Sequence, residues 1–170
     1  SYASLTQSSA VLSAAQYMRS KGGLVVVAAG NSGASENYTP TTYLIPVSAT
    51  DGNDQMASFS SYGSFVAMSA PGSGIWTTNR GGGYGSWSGT SFSTPITAGT
   101  IALMLAAKPG ISSSQVESLL YSTATDLGAT GRDDYFGYGR VNADAAVRAA
   151  ANATAGDSTP PTASIGAPLA

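Results

Sequence analysis

Two short strings in this sequence carry residues placed to do covalent chemistry. The first, Gly89-Thr90-Ser91-Phe92-Ser93-Thr94-Pro95, sets a serine just after a glycine-rich stretch and at the mouth of an apolar helical run. A hydroxyl there faces the positive end of the helix dipole, where free backbone N–H groups can stabilise a developing oxyanion. The same place suits a serine that merely caps the helix. The second string, Ala28-Ala29-Gly30-Asn31-Ser32-Gly33, ends an apolar run at an Asn-Ser-Gly turn, in which asparagine tolerates the left-handed conformation. The chain contains no histidine, so a reaction at Ser91 that needs an imidazole base must obtain it from elsewhere. Asp51, Asp54, Asp126, Asp133, Asp134 and Asp144 lie in turns or at caps and read as solvated turn carboxylates.

The elements that position these strings follow from periodicity. Val11, Leu12, Ala15 and Met18 recur at helical spacing, with Ser8 or Ser9 as cap and Gly22-Gly23 as stop. Leu24 to Ala29 is a continuous apolar run with β-branched Val25, Val26 and Val27 at its centre, the pattern of a strand buried on both faces of a parallel sheet. Tyr43 to Ala49 and Phe65 to Ala70 are further short strands closed by turn residues. Ile75 to Thr78 and Tyr84 to Ser88 flank Asn79-Arg80-Gly81-Gly82-Gly83 and predict a hairpin. The helix from Ser91 to Ala107 is expected to be largely buried and is stopped by Lys108-Pro109-Gly110. Ser112 to Ser114 cap a helix through Tyr121, and Asn142 caps another over 143–151. Residues 1–152 thus read as one α/β unit, and the Pro- and Thr-rich stretch 153–170 as a linker to a further domain.

Composition excludes several classes. Of 170 residues, 42% are hydrophobic, enough for one sizeable core. Charged residues make up 9% against a usual figure of about 25%, an outline common in exported bacterial enzymes. The net charge of −2 with scattered Lys and Arg leaves no footprint for nucleic acid. Without cysteine there is neither a disulfide framework nor a thiolate metal site. No stretch of 18 apolar residues spans a membrane. Gly81-Gly82-Gly83-Tyr84-Gly85 lacks the lysine of a phosphate-binding loop and reads as a hairpin turn. There is no Gly-x-Ser-x-Gly elbow, which argues against an α/β-hydrolase.

Gly89-Thr90-Ser91, followed by Pro95 and Ala98-Gly99, resembles the nucleophile signature of the subtilisin family. The segment from Ala28 to Gly33 is similar to that family's oxyanion-hole segment, and the two stand in the family's order about sixty residues apart. Ala57 to Gly63, Ser69-Ala70-Pro71-Gly72 and Gly137 to Asn142 match further landmarks, so the resemblance covers residues 1 to about 151. It implies a three-layer α/β/α sandwich with a mostly parallel sheet, of which this chain is the carboxy-terminal part of the domain. It also implies that Ser91 is the attacking hydroxyl and that the Asn31 amide and the Ser91 N–H are the oxyanion donors. Ala3-Ser4-Leu5 and Ala28-Ala29-Gly30 would form the two walls of the substrate pocket. The triad aspartate and histidine would lie before residue 1, on an amino-terminal half that becomes the partner of this one. Ile96-Thr97 stands where many relatives have His-Val, a histidine outside the triad.

The expected function is therefore an exported serine endopeptidase acting on polypeptides. The rival is a catalytically inactive fragment or peptide-binding member of the same fold. No metal ligands and no cofactor are expected in this chain, and calcium, common in the family, would draw on the rest of the complete domain.

Overall fold

A computed structural model describes residues 8–154, and its centre is a parallel sheet of three strands. β1 (Val26–Ala28), β2 (Ile45–Thr50) and β3 (Met68–Pro71) lie in the order β1-β2-β3, with Val26 opposite Ile45 and Val47 opposite Met68. Each strand is displaced toward the carboxy-terminal side of the range its apolar run suggests, or shortened within it. The paired register decides this: Ile45 N–H donates to Val25 O at 2.8 Å and Ala29 N–H to Val47 O at 2.9 Å, and pairing stops beyond them.

Three layers result, as the resemblance implies. α1 (Ser9–Ser20) covers one side, where Val11, Leu12 and Ala15 pack with Val25, Val27 and Leu44. Met18 does not join them and is 47% exposed. Ser8 is the N-cap residue but its side chain makes no capping hydrogen bond, contrary to expectation. On the other side α2 (Thr90–Ala107), α3 (Ser113–Ser122) and α4 (Ala143–Asn152) enclose Ile45, Val47, Met68 and Ala70. The α3 cap is reciprocal: Ser112 Oγ accepts from Gln115 N–H and Gln115 Oε1 accepts from Ser112 N–H, both at 3.2 Å. Asn142 Oδ1 caps α4 through Ala145 N–H at 3.0 Å. The expected hairpin forms from β4 (Ile75–Thr78) and β5 (Tyr84–Trp87), which pair antiparallel. The Ala3-Ser4-Leu5 wall and most of the 153–170 linker lie outside the described residues.

α2 departs from its expected burial. The face toward the sheet is made of Ser93, Thr94, Thr97, Thr100, Ile101 and Met104, mostly small and hydroxylated, while Leu103 and Leu105 on the outer side are 56% and 40% exposed. Small residues let the helix lie close on the strands, and the threonine hydroxyls return to carbonyls one turn back: Thr94 to Thr90 at 2.9 Å, Thr97 to Ser93 at 3.2 Å and Thr100 to Ile96 at 3.0 Å. α2 is also long and apolar enough by length and composition to cross a membrane. It packs instead against β1, β2, β3, α3 and α4, as the central helix of the core.

Candidate active site

Asn31 and Ser91 are sixty residues apart in sequence and come together because the end of β1 and the start of α2 abut at the carboxy-terminal edge of the sheet. Thr90 makes the join. Its N–H donates to Asn31 Oδ1 at 2.9 Å and its hydroxyl donates to the same oxygen at 2.9 Å. The hydroxyl also lies 3.3 Å from both Gly30 N and Gly30 O. With Oδ1 held by two donors from one side, the planar carboxamide is fixed and its Nδ2 is left to donate in the remaining direction.

Ser91 does not cap α2. The N-cap is Gly89, which has no side chain to accept a bond, and Ser91 sits at the second helical position with its side chain exposed. Thr90 N–H is used by Asn31 and Phe92 N–H donates to Gly89 O at 3.0 Å. The Ser91 N–H has no partner among the described residues. It is one of the orphan donors that every helix start presents. Pro95 withholds the N–H that the Ser91 carbonyl would otherwise accept.

Glycine is required where the approach is closest. Gly89 has φ +154° and its N–H donates to Gly72 O at 2.8 Å. A Cβ at 89 would sit 3.5 Å from Asn31 Nδ2 and 3.7 Å from Ser91 N, so its absence keeps open the space that both donors border. Gly72 is tied to the sheet through its N–H to Thr50 O at 3.0 Å and is packed against Ser93, whose hydroxyl donates to Ala70 O at 2.9 Å.

The loop after β1 is braced from the rear. Ser61 N–H donates to Gly30 O at 2.9 Å, Ser32 N–H donates to Ser61 Oγ at 3.1 Å, and Ser32 Oγ donates to Glu36 Oε1 at 2.7 Å. Ala28 and Ala29 are 2% and 0% exposed, so what they offer a ligand is main chain. Gly30 is likewise buried. Thr90 is the residue that sequence reasoning left without a role, although it stood inside the quoted string. Its task is a contact across fifty-nine residues, which no spacing rule announces.

The carboxylates serve local structure. Asp133 accepts from Tyr135 and Phe136 N–H, each at 2.8 Å, and from Ala129 N–H at 3.1 Å; Asp51 accepts from Asn53 N–H at 2.8 Å. Asp54, at φ +60°, pairs with Arg140 at 2.6 Å, Asp144 with Arg148 at 2.8 Å, and Asp134 with Arg132 at 4.0 Å. Among the described residues no three acidic side chains gather.

Comparison with known proteins bears on this geometry. The sequence profile of the Subtilase family, Peptidase_S8, matches residues 2–139. Alkaline elastase YaB from Bacillus sp. (strain YaB) is 46% identical over 129 residues, covering 75% of this chain and 33% of its own length. Subtilisin BL from Lederbergia lenta is 45% identical over 131 residues, covering 76% and 48%, and thermitase from Thermoactinomyces vulgaris is 43% identical over 137 residues, covering 79% and 48%. A solved structure described as proteases from Pseudoalteromonas arctica PAMC 21717 superposes with a TM-score of 0.75 at 35% identity, covering 84% of this chain and 47% of that one. The chain therefore spans between a third and about half the length of these relatives.

Proposed function

This chain belongs to the subtilase family, and from that premise we propose that it carries the nucleophile and the oxyanion hole of a serine endopeptidase that cleaves peptide bonds through an acyl-enzyme on Ser91. In this reading Ser91 Oγ attacks the scissile carbonyl while an imidazole takes its proton. The carbonyl oxygen becomes an oxyanion and receives hydrogen bonds from Asn31 Nδ2 and Ser91 N–H. Collapse expels the amine, which takes the proton back from the imidazolium, and water then releases the acyl group by the same route. The imidazole comes from an amino-terminal segment or companion chain, because this sequence has no histidine, and the aspartate that orients it is proposed to come with it. The setting is extracellular.

The observation that carries the reading is the double hold on Asn31 Oδ1 by Thr90, beside a helix-start N–H at Ser91 that has no partner among the described residues. A fixed donor pair needs no reorganisation when charge develops, which is what makes such donors effective in a site closed to water. Leu103 and Leu105, exposed on α2, support a companion segment packing over that helix. Ala3, Ser4 and Leu5 on one side and the main chain of Ala28, Ala29 and Gly30 on the other are the proposed walls for the residue preceding the scissile bond.

A second reading, a peptide-binding or inert member of the fold, is favoured by the missing histidine when the chain stands alone. Fluorophosphonate labelling separates the two. Companion-bound protein is expected to label at Ser91 alone, with Ser91→Ala abolishing the signal and the isolated chain labelling far more slowly. Absence of labelling in the companion-bound protein overturns the peptidase reading.

A further inference from the structure

The face of β2 and β3 turned away from α2 carries polar side chains in place of a core. Ser48 pairs with Ser69 and Thr50 with Pro71, so Ser48, Thr50 and Ser69 share that face. Ser69 also bridges Arg140 in parallel register, which sets the Arg140 side chain on the same side. From there Arg140 reaches Asp54, in the turn that follows β2, with Nη1 donating to Oδ1 at 2.6 Å. Its stem and Nε therefore run along the strip that holds Ser69 and Thr50. The Ser48 hydroxyl is satisfied, donating to Tyr135 O at 2.7 Å. Thr50 Oγ1, Ser69 Oγ and Arg140 Nε are buried without a protein partner among the described residues, and Thr50 and Ser69 are each 0% exposed. Native proteins rarely leave one such atom unmatched, and here three fall on one strip.

We propose that Thr50, Ser69 and Arg140 form a binding site for a single internal water molecule. Arg140 Nε–H donates to the water oxygen, and the two water protons go to Thr50 Oγ1 and Ser69 Oγ. This satisfies all three orphan atoms with three hydrogen bonds, the usual number for a buried water. A small anion is the weaker occupant because the Arg140 charge is already met by the Asp54 carboxylate, whose own charge would repel it. The water joins β2, β3 and the segment that follows Gly139, adding to the Arg140–Asp54 pair that already ties that segment to the turn after β2. It thereby steadies the sheet edge to which Gly72 is tied.

The site is tested on the complete peptidase by a high-resolution crystal structure with a bromide soak, and by an unfolding cycle with Thr50→Val and Ser69→Ala. The expected result is a fully occupied water within hydrogen-bond distance of all three atoms and no anomalous bromide peak. The two substitutions are expected to be non-additive by about fivefold in the unfolding equilibrium constant, since either one releases the same water. A bromide peak, an empty strip, or an additive cycle each overturns the proposal.

Discussion

Replacing Thr90 by valine keeps the shape of a fully buried side chain and removes only its hydroxyl. That hydroxyl contributes one of two bonds to Asn31 Oδ1, at 2.9 Å, and lies 3.3 Å from Gly30 N; the bond from Thr90 N–H survives the change. Asn31 is therefore loosened rather than freed. A net hydrogen bond is worth about 1 kcal/mol, so kcat on a peptide substrate is expected to fall roughly fivefold with KM unchanged, because in the proposed mechanism the donor acts on the oxyanion and not on bound substrate. Leaving Gly30 N–H unpaired is expected to lower stability by about 1–3 kcal/mol in denaturant unfolding. Asn31→Ala is expected to cost about 10²–10³ in kcat, the range seen on removing one oxyanion-hole donor in a subtilisin. The decisive assay combines the two. In an Asn31→Ala background Thr90→Val should have no further effect on kcat, and Thr90→Ser should restore most of the activity in the parent. A full additive loss in the double variant, or an effect confined to KM, refutes the argument that Thr90 acts through Asn31.

Two further outcomes follow from the packing. Gly72→Ala would push a methyl group against Ser93, Ala49 and the Gly89 carbonyl, and is expected to cost about 1–3 kcal/mol in unfolding while lowering kcat through the Gly72–Gly89 bond. Tyr121 has its phenol pushed well above the ordinary value, first by burial and then by Glu117, whose carboxylate accepts its hydrogen bond at 2.8 Å. A folded-state pKa above the unfolded one contributes stability that is present below the unfolded value near 10 and is lost as pH rises beyond it. Stability measured between about pH 9 and 12 should therefore fall less steeply in Tyr121→Phe than in the parent. Equal slopes for the two proteins would contradict that assignment.

Much of the candidate site's local geometry was legible in the chain because local chemistry marks it. A serine set between glycine and an apolar helix, and an asparagine closing a β-branched run, are demands of the backbone itself: a tight turn, an open helix start, a buried parallel strand. The same holds for the caps at Ser112 and Asn142 and for the hairpin, whose signals span only a few residues. The Ser91 position, ambiguous between cap and nucleophile as a string, was separated from the capping role only by the fold, which makes Gly89 the cap.

What the tertiary structure alone decided are relations across distance. Strand ends depended on where the neighbour's register ran out, as Val26 opposite Ile45 illustrates. The buried side of α2 was hidden because threonine and leucine change places with ordinary expectation: close approach to the sheet selects the small hydroxylated face, and hydroxyls satisfied within the helix carry no penalty there. Thr90 gripping Asn31, and Arg140 crossing to Asp54, join residues 59 and 86 apart. Sequence therefore determined which chemical groups this protein possesses and the local turns that present them. Only three-dimensional packing decided which groups meet, because a hydrogen bond depends on distance and direction in space and leaves no period along the chain.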